Sequence, residues 1–203
     1  MADYAEALKR PFSDLTKLLI YIVISIIPIV NIISSGYLLD VAQTAMKRQK
    51  KLPEFKDYGR LFVEGLKVIV ISVIYAIPAI IVAVLAGASA WVSYGFGLSS
   101  AAAGLGILGM IVAAIIALIM IYMGTGAILN YADKRKLSEA FNFGAISKKV
   151  FTSKFFAGWI LSIVISGIIG FVLGFIPLIG RLLGAGIGGI FYMSVMGEIY
   201  SEI

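Results

Sequence analysis

Few side chains in this sequence could do chemistry inside a membrane. The polar residues that lie within or beside long apolar stretches include Asn31, Asp40, Arg181 and Glu198. Ionisable groups at membrane depth are costly and mark a functional site by default. The sequence therefore predicts these four as the polar residues of a solute pathway. Asp40 and Arg181 also have structural interpretations, because Asp40 can pair with a nearby Lys or Arg and Arg181 can extend to the membrane surface.

The residue types that are missing restrict the chemistry further. The chain has no Cys and no His, which excludes thiolate nucleophiles, Cys/His metal sites and His-dependent triads. It has 11 Asp and Glu residues, so carboxylate sites have little material. The Gly-rich stretch 180–189 is flanked by apolar helix-like sequence, which favours helix packing over phosphate binding. We expect no enzymatic activity, no cofactor and no metal.

Composition points to a membrane protein. Of the 203 residues 61% are hydrophobic and 14% are charged, against about 45–50% and about 25% in soluble domains. The sequence predicts an all-α polytopic transmembrane helical bundle, with residues 1–203 as one membrane domain. The net charge is +6, but Lys and Arg lie in blocks beside apolar stretches, which is typical of membrane proteins rather than of nucleic-acid binding. We expect membrane lipids as partners and no nucleic acid.

Uncharged stretches place the membrane spans. A helix needs about 20 apolar residues to cross the hydrocarbon core, so the long stretch 68–132 must hold two helices and a connection. The Gly- and Ser-rich residues 87–104 form that connection, with Trp91, Tyr94 and Phe96 at the membrane surface. The predicted spans cover residues 67–88, 105–131, 155–176 and 180–199.

The distribution of basic residues predicts the orientation in the cell membrane. Lys and Arg are concentrated in the segments 47–67 and 133–154 and are absent from 68–133. Because positively charged loops remain in the cytoplasm, both basic segments and the C-terminus are expected there, and the connection 87–104 outside.

The first apolar stretch, within residues 13–46, allows several interpretations. Basic residues flank it on both sides, and Pro28 and Asn31 lie near its middle. Proline interrupts the helical hydrogen bonds, which favours a hairpin or re-entrant element bent at 27–31. A single span and a cleaved signal peptide are the alternatives.

Two segments resemble each other and predict a parallel internal repeat. Residues 51–59 and 136–144 share the pattern K-L-x-E-x-x-[DN]-[YF]-G, between apolar helices in both cases. The repeat units would cover about 29–88 and 105–176, followed by a C-terminal helix over about 180–199. Apolar residues at helical spacing predict short interfacial amphipathic helices, in the first copy with Phe55, Tyr58, Phe62 and Leu66.

Small residues recur every four positions in several predicted spans. This spacing lets helices approach closely in lipid, either within one chain or against a second copy or another membrane protein. A shorter series is Ala79, Ala83 and Gly87. The candidate packing residues of the last two spans are Gly158, Ser162, Ser166, Gly170, Gly174, Gly180, Gly184 and Gly188.

Two short elements resemble a known family. The first element is Gly36-Tyr37-Leu38-Leu39. The second follows a group of basic residues and consists of Leu52-Pro53-Glu54-Phe55 with Tyr58-Gly59, and it continues into Leu61-Phe62-Val63-Glu64-Gly65-Leu66-Lys67. This is similar to an uncharacterised prokaryotic membrane-protein family, common in archaea and known as a domain of unknown function. The resemblance covers essentially the whole chain and implies an integral membrane protein. It implies no catalytic or ligand residues.

Two functions fit these patterns. The first is a non-enzymatic bundle that forms or supports a solute or ion pathway. The alternative is a membrane scaffold or accessory subunit that organises partner proteins or lipids. A lipid-modifying intramembrane enzyme is disfavoured, because the chain lacks His and Cys and has few acids.

Overall fold

The computed structural model describes residues 3–95, 100–177 and 179–203, and these residues are helical with short connections. The predicted all-α fold is confirmed. In lipid every backbone polar group must be satisfied within the chain, which helices achieve segment by segment. Two 3-10 helices lie at Arg10–Ser13 and Leu137–Phe141. The α-helices are α1 (Tyr4–Lys9), α2 (Leu15–Ile26), α3 (Asn31–Met46), α4 (Tyr58–Gly95), α5 (Ser100–Lys134), α6 (Phe143–Val150), α7 (Ser153–Gly174) and α8 (Gly180–Ser201).

Four of these helices are long and apolar enough to cross a membrane. They are α4 over Tyr58–Ser89, α5 over Gly106–Lys134, α7 and α8. The chain is therefore a multi-pass membrane protein. The four predicted spans fall on these four helices, and α7 and α8 match their predicted bounds within a few residues.

The predicted connection between the first two spans is too long. Helix α4 continues to Gly95 and α5 begins at Ser100, so most of residues 87–104 are helical. Gly and Ser disfavour a helix only weakly, by about 1 kcal/mol or less each, so a helix that enters this segment from apolar sequence can continue through them. Trp91 is 84% exposed on α4, and Tyr94 is in its last turn. Phe96 lies outside the described residues.

The first apolar stretch is a hairpin of α2 and α3, broken at residues 27–30. Ile29 adopts a φ of 72°, a left-handed conformation in which the helix cannot continue. The start of α2 lies beside the segment after α3, because Lys17 Nζ donates to the Leu52 carbonyl oxygen over 3.1 Å. The single-span alternative is therefore wrong. At 12 residues α2 is about 18 Å long, shorter than the hydrocarbon core of about 30 Å.

The predicted interfacial helix of the first copy does not exist as a separate element. Tyr58, Phe62 and Leu66 lie in the first turns of α4, because no helix-ending residue separates them from the apolar run. In the second copy the short helix α6 does form. Asp57 and Asn142, at equivalent positions, both accept a backbone N–H of the following helix, from Arg60 at 3.0 Å and Ala145 at 3.2 Å. The repeat itself stays a prediction.

The structure divides into two compact units, and the single domain over 1–203 stays a prediction. The first unit contains the residues up to Ile69 together with Gly126–Ile203, and the second is Val70–Thr125. The core of the first unit lies where α2, α3 and α8 meet. Its buried members are Leu18, Tyr21, Ile22, Tyr37, Val41, Leu52, Ile187 and Ile190.

The second unit pairs parts of α4 and α5. A Cβ at Gly109 would lie 2.6 Å from the Cβ of Ala86, and Gly124 faces Tyr75. Ala79 and Ala86 are buried, whereas a Cβ at Gly87 would meet no atom within 4 Å. Within this unit Ala79 and Ala86 therefore contribute to the helix contact and Gly87 does not, and the predicted series Ala79, Ala83 and Gly87 as a packing surface stays a prediction.

Candidate functional site: a buried ion-pair network

The candidate site lies in the first unit, where α3 meets the start of α4 and the end of α5. Two glycines position it. A Cβ at Gly36 would collide with the backbone oxygen of Leu61, and a Cβ at Gly65 would collide with that of Ile32. Helices α3 and α4 can therefore touch backbone to backbone only because both positions lack a side chain.

Asp40 is the centre of the network. Its carboxylate accepts two hydrogen bonds from Arg60, Nη1 to Oδ1 at 3.3 Å and Nη2 to Oδ2 at 2.7 Å. Arg135 Nη2 donates to Asp40 Oδ1 at 2.5 Å and to Gln43 Oε1 at 3.0 Å. The side chain of Asp40 is 11% exposed. Charge-assisted bonds from two guanidinium groups stabilise such a desolvated carboxylate.

Glu64 is the second carboxylate of the network. Arg135 Nη1 donates to Glu64 Oε2 at 3.1 Å, so Arg135 bridges the two acids. The hydroxyl of the fully buried Tyr131 donates to the same oxygen at 2.6 Å. Lys67 Nζ donates to Oε1 at 2.9 Å. The named oxygens all accept hydrogen bonds from the protein, so the network joins three helices but presents no unpaired nucleophile or general base.

The two elements that carry the family resemblance pack against each other beside this network. The Tyr37 hydroxyl donates to the Pro53 carbonyl oxygen at 3.1 Å. The rings of Tyr37 and Phe55 stack with centroids 3.8 Å apart. Phe55 is therefore a packing residue rather than part of an interfacial helix. The Gly-Tyr-Leu-Leu and Leu-Pro-Glu-Phe elements together fix the middle of α3 to the segment that leads into α4.

The sequence of this protein matches one family model. A family model described as a protein of unknown function, DUF4013, matches residues 19–178. The chain belongs to the DUF4013 family. The match begins in α2 and ends before α8, so it contains the whole ion-pair network. No curated protein and no solved structure matches the chain.

A second polar cluster of this DUF4013 protein holds its N-terminal segment. Arg10 is 3% exposed and donates to the Val41 carbonyl oxygen at 3.2 Å, to Ser194 Oγ at 3.1 Å and to Thr44 Oγ1 at 2.6 Å. Burial lowers the pKa of Arg10, partly opposed by the charge of Glu198. Glu198 accepts the backbone N–H of Asp3 at 3.1 Å. The cluster ties the N-terminal segment to α3 and α8.

The four candidate residues of the DUF4013 chain are not brought together. Asp40 lies in the network, Glu198 lies beside the N-terminal segment, and Asn31 is the first residue of α3. Arg181 is exposed in the first turn of α8. Within residues 3–95, 100–177 and 179–203, no hydrogen bond or ion pair joins any two of them. The described part also contains no group of three or more His, Cys, Asp or Glu side chains that could hold a metal ion.

Sequence reasoning missed most of the network. The sequence does not distinguish Arg60, Glu64, Tyr131 and Arg135 as site residues. The available signal is an isolated acid or base at the end of an apolar stretch, and within the network it identifies Asp40 alone. The partners remained hidden because Arg135 is 95 positions from Asp40 and Tyr131 is 67 positions from Glu64.

Most of the candidate packing residues lie between α7 and α8. A Cβ at Gly184 would lie 2.9 Å from the Cα of Gly170, and the Ser166 hydroxyl donates to the Gly188 carbonyl oxygen at 3.1 Å. Gly158 faces Ile199, Gly180 faces the Leu173 backbone, and the buried Ser162 donates to the Gly158 carbonyl oxygen. A Cβ at Gly174 would meet no atom within 4 Å.

Proposed function

We propose that this DUF4013 protein is a non-enzymatic accessory or organising subunit that binds lipids or a partner protein in the membrane. The observation that carries the proposal is the pairing of the buried acids. Asp40 and Glu64 are bonded to arginine, lysine and tyrosine side chains of the same chain. A solute pathway instead needs polar groups that can exchange a protein contact for a solute contact.

The exposed surface of the spans supports the same proposal. In the most apolar stretch of α4, 11% of the residues are buried, against 61% in α8. Large side chains on this exposed surface include Ile80, Val84 and Leu85. Such a helix offers most of its apolar circumference to lipid or to another membrane protein.

The first test is native mass spectrometry of the tagged protein, extracted gently from its own membrane. We expect a complex of fixed stoichiometry with another membrane protein or with retained lipid. A lipid-free, partner-free chain would contradict the proposal.

Flux into proteoliposomes tests the pathway alternative. We expect no solute flux above that of empty vesicles. Flux that is lost in Asp40→Asn but kept in Asp133→Asn, a matched change at an exposed acid, would establish a pathway instead.

We also propose that the basic ends of the helices face the cytoplasm of the cell, since Lys and Arg are concentrated there. The absence of cysteine gives a clean background for labelling. A membrane-impermeant maleimide should label Ala88→Cys in intact cells but not Lys51→Cys or Lys136→Cys. The reverse pattern would contradict this orientation.

A further inference from the structure

A groove runs along the outside of the contact between α7 and α8. It is open to the outside, has a volume of about 440 Å³ and is lined by Arg181, Tyr192 and small residues that include Gly170, Gly184, Ala185 and Gly188. Its floor is closed because Gly184 packs on the backbone of Gly170. The hydroxyl of Ser166 is already bonded to the Gly188 carbonyl oxygen, so it does not make the floor polar.

Arg181 lies at one end of this groove. It is the only charged residue between Lys154 and Glu198 in the sequence. Within the parts of the chain that the structure describes, its guanidinium makes no hydrogen bond and no ion pair. An exposed guanidinium at the end of a span lies at the level of lipid headgroups, where an anionic headgroup can supply the counter-charge that the described chain does not.

The length of the groove indicates what that anion is attached to. Arg181 and Tyr192 are eleven positions apart on α8, which is about 16 Å along the helix axis. This is about half the thickness of the hydrocarbon core, or one lipid leaflet. Arg181 lies in the first helical turn after the reversal between α7 and α8, at the end of a span where lipid headgroups lie.

We propose that the groove binds one anionic phospholipid. Its phosphate pairs with Arg181, and one acyl chain lies along Gly184, Ala185 and Gly188. Charge complementarity and an apolar groove of leaflet length together fit a lipid, whereas inorganic phosphate would use only the cation. The inference rests on the proposed function and names anionic lipid as the bound partner.

The test uses the full-length protein in nanodiscs and counts retained lipids by native mass spectrometry. One set of discs contains phosphatidylglycerol and phosphatidylcholine in equal amounts, and the other contains phosphatidylcholine alone. We expect one retained phosphatidylglycerol per chain. Arg181→Gln should lower its affinity about five-fold, the effect of one cation near an anionic lipid surface, and Arg181→Lys should keep most of it.

Matched variants distinguish lipid binding in the groove from the general effects of removing a positive charge or enlarging an exposed side chain. Ala185→Leu fills the groove at an exposed position and should weaken lipid retention, while Ala114→Leu, at an exposed position of α5, should not. Lys51→Gln removes a different exposed cation and should leave the retained lipid in place. Circular dichroism of each variant checks that the helices still form.

Three results would overturn the site. They are unchanged lipid retention in Arg181→Gln, equal loss in Lys51→Gln, or a dimer that occupies the groove and excludes lipid. These results are distinct from failure of the proposed function, which would show as solute flux dependent on Asp40. A partner complex from native membranes together with unchanged lipid retention in Arg181→Gln would retain the proposed function and reject the lipid site.

Discussion

Arg135 and Arg181 are arginines at the ends of two membrane-spanning helices, and the protein treats them differently. Arg135 is bonded to Asp40, Gln43 and Glu64. Arg181 is exposed beside an apolar groove and has no bonded partner in the described residues. The protein itself supplies the counter-charge of Arg135, whereas we propose that a lipid supplies that of Arg181. A cation at a membrane span is therefore structural or functional according to what faces it.

Close helix contacts at glycine build both regions. At Gly36 and Gly65 the backbones of α3 and α4 meet and nearby side chains complete the contact with ion pairs. At Gly170 and Gly184 the backbones of α7 and α8 meet as well, but the small residues beside them leave the groove open on the outside. Close contact at glycine thus gives a contact filled by side chains between α3 and α4, and an open groove between α7 and α8.

Asp40→Ala should have the largest effect on the paired region. It leaves Arg60 and Arg135 without their shared carboxylate, and removing one partner of a buried ion pair costs about 3–5 kcal/mol. Because both arginines are partly exposed, we expect a loss of about 2–3 kcal/mol in the free energy of unfolding, measured by denaturation in detergent. Arg181→Ala should change it by less than about 0.5 kcal/mol. Equal losses in the two variants would refute the distinction.

Gly36→Ala tests the close contact that positions the network. The new Cβ would overlap the backbone oxygen of Leu61, so we expect a loss of about 2 kcal/mol. Gly167→Ala, in the interior of α7, is the matched control, since a Cβ there meets open space and alanine is favoured over glycine in a helix interior by about 1 kcal/mol. Thermal melts followed by circular dichroism should shift in opposite directions. A stabilised Gly36→Ala would mean that α3 and α4 do not touch at this point.

Tyr131→Phe keeps the ring but removes the hydroxyl that donates to Glu64 and also lies beside Lys67. We expect a loss of about 1.5 kcal/mol, because Glu64 keeps its bonds to Arg135 and Lys67. Tyr58→Phe, at an exposed position, serves as the control and should be neutral. Denaturation midpoints of the two variants compare them directly. A neutral Tyr131→Phe would show that the network does not depend on this hydroxyl.

The smallest effect concerns Glu202, another acid that pairs with basic side chains of the same chain. The hydrogen bond from Lys154 lowers the pKa of Glu202 from its ordinary value of 4.5 to about 2, and Arg48 pairs with the same carboxylate at 2.6 Å. Because the folded-state pKa is lowered, this stabilisation is present above pH 4.5 and is lost as the pH falls towards 2. The melting temperature should fall more steeply in this window for the wild type than for Glu202→Gln. Parallel curves would exclude a role for Glu202.

Much of the architecture was readable before any contact was known. The apolar runs placed α7 and α8 within a few residues, and Pro28 with Asn31 indicated the break between α2 and α3. The sequence underestimates the lengths of α4 and α5, because Gly and Ser resemble turn residues there although each costs a helix only about 1 kcal/mol or less. The separate interfacial helix around Tyr58 was wrong for a related reason, since the polar turns continue directly into the span.

The sequence by itself determined that this DUF4013 protein is an all-helical membrane protein without the side chains of His- or Cys-dependent catalysis. Hydropathy is a local property that adds along the chain, so it can be read residue by residue. Only the tertiary structure decided that Asp40 is neutralised by Arg60 and Arg135 while Arg181 is left open. That outcome depends on where helices distant in sequence cross, and the crossing is set by backbone contacts at Gly36 and Gly65.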